Sequence, residues 1–169
     1  MATEETLTHL RQDGSAHMVD VTEKPVTSRS ARAQAKVITT AEVINQIFTA
    51  NLPKGDALPT ARIAAIMAAK KTAEIIPLCH PLPLGKITVD FQRLKQAVGI
   101  QVSVKTRGVT GVEMEALTAA SAAALTIYDM IKAVDKEAQI TEIQVLEKRG
   151  GQSGDWTHSK KTSADTEER

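Results

Sequence analysis

Apolar positions along the chain recur every three or four residues in some stretches and every second residue in others, and the switches between these periods lay out its elements. Val43, Ile44, Ile47 and Phe48 carry the helical spacing through residues 41–50. A second helix is predicted from Pro59 or Thr60 to about Ile76, through Ile63, Ile66, Met67 and Ala73, with Pro77 as its stop. A third, long helix is expected within Thr110 to Lys132. KITVDFQR (86–93) and GIQVSVK (99–105) alternate as half-buried strands do, and the short link at 94–98 makes them a hairpin. QITEIQVL (139–146) reads as a further strand, while 16–21 and 32–39 look extended, and NLPKGD (51–56) is a turn. The order is helix, strand, strand, helix, strand, preceded by extended segments. It predicts an α+β fold, an antiparallel sheet with helices packed on one face, in one domain over residues 16–158. Residues 1–15 and 159–169 are polar or charged without periodicity and are expected to be mobile ends.

The long helix is the unusual element. From Ala116 to Tyr128 it has no charge, only small and aliphatic residues and one Tyr, with Glu113 and Glu115 at its start and Asp129 and Lys132 at its end. Acids suit the positive end of a helix dipole; Asp129, in the last turn, faces the negative end. Lys132 lies three residues on, on the same face, so the two are either an ordinary helical ion pair or a functional one. Glu115 and Asp129 are 14 residues apart, which at the helical rise is ~21 Å on nearly the same face. They cannot share a small-molecule site within one subunit. A site using both needs two chains, which favours a homo-oligomer with sites at an interface, and the Ala- and Ser-rich surface suits close approach.

Composition narrows the function. The 169 residues are enough for a core without staples, and 42% are apolar but only 2% aromatic. The core is therefore aliphatic, with little to stack on bases, and the formal net charge of +1 argues against a nucleic-acid binder. The lone Cys79 excludes an internal disulfide and Cys-rich zinc patterns, so a reducing cytoplasm is the expected setting. No N-terminal signal pattern is present, and the 13-residue uncharged run falls short of the ~20 residues that span a bilayer.

Three segments carry candidate chemistry. PLCHPLPL (77–84) surrounds Cys79 and His80 with prolines and leaves the backbone few conformations. His80 is either a general acid or base or a structural hydrogen-bonder, and Cys79 reads as packing. Lys54 sits on a turn beside Gly55, with Asp56 as a helix cap, and is otherwise an ordinary surface lysine. LEKRGGQSGDW (146–156) has three glycines in five residues but lacks the spacing of a P-loop; it suits a lid or a phosphate-contacting loop. Together these residues would serve an anionic substrate that needs proton transfers.

AHMVDV (16–21), KGD (54–56), ARIA (61–64), IPLCHPL (76–82), TGVEMEALTAAS (110–121) and ALTIYDM (124–130) together resemble the cyclic pyranopterin monophosphate synthase family, accessory protein C of molybdenum cofactor biosynthesis, over about residues 15–156. The resemblance implies a ferredoxin-like subunit and a homohexamer, a trimer of dimers with sites between subunits. It also implies a lyase reaction: 3′,8-cyclo-7,8-dihydro-GTP, supplied by a radical enzyme, is rearranged to cyclic pyranopterin monophosphate with loss of diphosphate. By the matching motifs, Asp129, Lys54 and Lys132 take catalytic positions. Leu78, Cys79, His80, Glu113, Met114 and Glu115 fall in substrate-binding segments, and Arg29 and Lys148 at basic positions suited to the triphosphate. Many members have a lysine where this chain has Gln152. No cofactor is implied; magnesium commonly accompanies triphosphates, yet the sequence holds no recognisable metal site. The rival readings are a catalytically silent nucleotide- or pterin-binding module and a purely structural oligomer.

Overall fold

A computed structural model describes residues 13–159. The expected mobile ends, 1–15 and 159–169, lie outside the described residues apart from 13–15 and 159. In chain order the elements are β1 (Thr27–Ile38), α1 (Ala41–Phe48), α2 (Ala57–Lys70), α3 (Thr72–Ile75), β2 (Leu84–Arg93), β3 (Ala97–Gly108), α4 (Glu113–Ile131), β4 (Gln139–Arg149) and β5 (Trp156–Thr157). The sheet order is β2-β3-β1-β4-β5, and every pairing is antiparallel. Strands β2, β3, β1 and β4, with α2 and α4 as the crossovers, form the βαββαβ arrangement of ferredoxin-like folds.

Side chains alternate across β1 and β3 as strand geometry requires. Ala31, Ala33, Ala35 and Val37 of β1, with Val98, Ile100, Val102 and Val104 of β3, are buried beneath the helices. The other face of β1 is polar: Lys36 pairs with Glu142 at 2.9 Å, and Arg32 approaches Glu147 at 3.9 Å. Helix α4 crosses β1, β3 and β4, while α2 lies beside it over β2. The α2 side of their contact is a ridge of buried alanines four residues apart, Ala57, Ala61, Ala65 and Ala69. It meets the equally small Ala116, Ala119, Ala120, Ala123 and Ala124 in a continuous core. The antiparallel sheet with helices on one face is as the sequence predicts.

Four boundaries differ from the expectation, each for a local reason. The Asp56 carboxylate caps α2 by accepting from Leu58 N at 3.3 Å, so the helix starts at Ala57, and Pro59 sits in the first turn where no donor is needed. The helix does not run to Ile76: it stops at Lys70, Lys71 leaves the helical region at φ −109° and ψ 11°, and the short α3 follows. Residues 16–21 are not a strand of the sheet; only Ala16 makes a bridge. Strand β1 begins at Thr27 rather than Arg32, because the polar TSRSA run is held at the sheet centre by β3, with β4 joining from Ser30.

Candidate active site

The chemistry-bearing residues gather at two places, one at each end of α4. At the C-terminal end, Asp129 accepts hydrogen bonds from two lysines: Lys132 Nζ lies 2.7 Å from Oδ1, and Lys54 Nζ lies 2.9 Å from Oδ2. Lys54 also donates to the Asp129 carbonyl at 2.9 Å. The turn expected at NLPKGD is what delivers it: Gly55 N–H donates to the Leu52 carbonyl, and Gly55 has φ +94°, a conformation glycine adopts without strain. The Lys132 hydrogen bond and then that of Lys54 hold the Asp129 carboxyl down to about 2. The same bond to Asp129 raises Lys132 above the ordinary lysine value. All three side chains are substantially exposed.

At the N-terminal end lies a cavity of about 550 Å³, within the size range of small-molecule sites. The stiff 77–84 segment supplies Leu78, Cys79 and His80, the start of α4 supplies Glu113, Met114 and Glu115, and β1 and β4 supply Arg29 and Lys148. Every substrate-binding candidate named by the sequence thus lines one cavity, and none of the Asp129 cluster does. Gln152, the departure from the familial lysine, faces the same cavity. Lys24 and Ser153 line it too and were missed. The signal for Lys24 was a basic residue close behind the AHMVDV segment; for Ser153, a hydroxyl among the glycines.

Local contacts fix how these groups point. His80 Nε2 lies 2.8 Å from the Val19 carbonyl, which only accepts, so Nε2 is the ring nitrogen that carries the donated proton. Arg29 Nε donates to the Gly108 carbonyl at 3.1 Å, and its guanidinium lies so near Gly151 that a Cβ there would meet Nη1 at 2.4 Å. The glycine loop therefore closes onto Arg29. Lys148 Nζ reaches Ser153 Oγ and lies 3.6 Å from Glu113 Oε1. Glu115 is only 4% exposed, and burial, with a smaller contribution from Glu113, pushes its carboxyl up. Burial first, and then Glu115, also raise the Cys79 thiol, so it stays protonated at neutrality and is a poor nucleophile. Among the described residues no three His, Cys, Asp or Glu side chains are gathered as a metal site would need, and no helix is long and apolar enough to cross a membrane.

Fold and site together define a class: an α+β protein of ferredoxin-like topology, with a polar cavity lined by both charges at one end of its long helix and a lysine-clamped carboxylate at the other. The chain belongs to the MoaC family, whose model matches residues 18–151. It is 71% identical to a cyclic pyranopterin monophosphate synthase of Corynebacterium efficiens over 151 residues, 89% of this chain and 97% of the relative. It is 53% identical over 156 residues to that of Streptomyces avermitilis, with 92% of each chain covered. To cyclic pyranopterin monophosphate synthase 2 of Mycobacterium tuberculosis it is 55% identical over 151 residues, 89% of this chain and 90% of the relative. The expectation of an enzyme is borne out, as is the resemblance on which it rested.

Proposed function

We propose that this chain is a cyclic pyranopterin monophosphate synthase, a phosphorus–oxygen lyase that converts 3′,8-cyclo-7,8-dihydro-GTP to cyclic pyranopterin monophosphate and diphosphate. The observation that carries the reading is the Lys54–Asp129–Lys132 cluster, two ammonium groups held within 2.9 Å of one carboxylate at an exposed helix end. Opening and reclosing the base needs groups that give and take protons. Asp129, held near 2, stays ionised at working pH and keeps both lysines in one place. Each lysine then serves as proton donor, and once it has given its proton it is the base that takes the next. In the phosphate step a substrate hydroxyl attacks the α-phosphorus, the bond to diphosphate breaks, and the leaving group carries the charge away. Arg29, Lys24 and Lys148, all on the cavity, are the cations suited to offset that charge. Leu78, Cys79, His80, Glu113, Met114 and Glu115 bind the rest of the substrate.

The cavity and the lysine cluster are separated by most of the length of α4, so a complete site in this reading takes the cavity of one subunit and the Asp129 cluster of another. A homohexamer, a trimer of dimers in the cytoplasm fed by the upstream radical enzyme, fits that requirement. The test is a single-turnover reaction with 3′,8-cyclo-7,8-dihydro-GTP, following diphosphate and cyclic pyranopterin monophosphate together, for wild type and Asp129→Asn. Wild type is expected to form both. The folded variant is expected to bind substrate and lose turnover by at least ~10²-fold, the scale of positioned acid–base catalysis. Binding without diphosphate release by wild type would make the chain a silent binding module instead.

A further inference from the structure

Glu113 occupies a position in the cavity that ligand binding alone does not call for. It is the first residue of α4, and its carboxylate folds back over Gly111 so closely that a Cβ there would lie 1.9 Å from Oε2. From that position Oε1 is 3.6 Å from Lys148 Nζ, and the same ammonium donates to Ser153 Oγ in the glycine loop. The loop is tied in turn by the Gly150 N–H, which donates to Asp155 Oδ1 at 2.9 Å. Gly111, Glu113, Lys148 and Ser153 all line the cavity. An anion that binds Lys148 therefore meets a carboxylate already there.

We propose that Glu113 is an internal counter-anion of this cavity: it holds Lys148 when no ligand is bound, yields that lysine to an entering phosphate group, and recaptures it to help expel diphosphate. The inference rests on the reading of the cavity as a phosphate site. Three cations lining one cavity, Lys24, Arg29 and Lys148, would retain a diphosphate product, and a competing carboxylate shortens its stay. The contact suits exchange because it is half-buried and longer than a tight ion pair, so it is weak. The displaced carboxylate also has somewhere to go, since the N-terminus of α4 favours negative charge. Glu115, two residues on, cannot take this part: it is buried and forms no ion pair among the described residues.

The experiment is calorimetric binding of inorganic diphosphate at low salt to the full chain, as wild type, Glu113→Gln, Lys148→Ala and the double variant. Glu113→Gln is expected to bind about two- to fivefold more tightly than wild type, the worth of one partly exposed ion pair. In the Lys148→Ala background the same change is expected to gain nothing. Gly111→Ala, whose Cβ evicts the carboxylate without removing its charge, is expected to follow Glu113→Gln. Unchanged or weaker binding by Glu113→Gln, a gain that persists without Lys148, or no diphosphate binding by any variant would each overturn the proposal. Single turnover is scored separately: turnover without this coupling removes the counter-anion and leaves the synthase standing, and coupling without turnover does the reverse.

Discussion

Two carboxyls on α4 are driven in opposite directions. Hydrogen bonds from Lys132 and then Lys54 pull Asp129 down to about 2, so its contribution to stability is complete above the unfolded carboxyl value and is lost only as pH falls through about 2. Lys132 is raised by the same bond; its contribution is complete below the ordinary lysine value and is lost as pH rises through the raised one. The Asp129–Lys132 pair therefore makes its full contribution to stability from about pH 4 to about pH 10. A carboxyl-detected NMR titration is expected to place the Asp129 midpoint near 2, and Lys132→Ala to move it back toward the ordinary aspartate value of 3.8. Glu115 is raised by burial, so the folded state prefers its neutral form and loses stability as pH climbs above the ordinary glutamate value. Thermal melts of Glu115→Gln are expected to show a higher Tm than wild type at pH 7 and a smaller gain at pH 4, together with weaker substrate binding. Of these groups, the Asp129–Lys132 pair was legible in the sequence because three residues of helix bring them onto one face. Lys54 stands 75 residues from Asp129, and nothing local announces a contact made by a turn.

At the scale of the element, the alanines explain what the hydrophobic pattern left open. Periodicity marked α4 as buried but not its neighbour, since a helix of small residues reads alike whether a sheet or another helix covers it. The ridge of α2 supplies the answer, and it leaves no room for larger side chains. Ala65→Leu, on a fully buried position facing α4, is expected to cost about 1–3 kcal/mol, read as a lower urea midpoint. Strand ends were the least legible part. The alternation in β3 is sharp because one face is buried, but the TSRS start of β1 is polar, and only its pairing with β3 and β4 makes it strand. The 16–21 segment had the residue types of a strand but pairs only through the Ala16 bridge; Val19 instead gives its carbonyl to His80.

For the whole molecule, α4 acts as a spacer that keeps the cavity and the lysine cluster apart in one chain. The sequence made that separation readable from helical rise, with Glu113 and Glu115 at one end and Asp129 and Lys132 at the other, though helical spacing could not bring in Lys54 or His80 from other segments. Lys54 and Asp129 fall in the same cluster, so variants at these two positions cannot complement each other across subunits. A cavity variant and a cluster variant can. Mixing His80→Ala with Asp129→Asn and allowing subunit exchange is expected to restore about a quarter of wild-type turnover per site if each site draws one part from each of two chains at random. No recovery after proven exchange would place both parts' chemistry within one subunit.

The poverty of aromatic residues has an optical consequence. The chain has one tryptophan and one tyrosine, and they stand at opposite ends of α4. Trp156 is 45% exposed, pairs across the sheet with Lys148, and meets the His158 ring edge-on at 6.0 Å. Tyr128 adjoins Asp129 at the other end. Light absorbed by indole alone thus reports the glycine loop, and the phenol reports the lysine cluster. The unmodified protein thus carries one fluorophore beside Lys148, a residue of the cavity, and one beside Asp129, and a change in indole emission is the expected dye-free sign of the cavity filling.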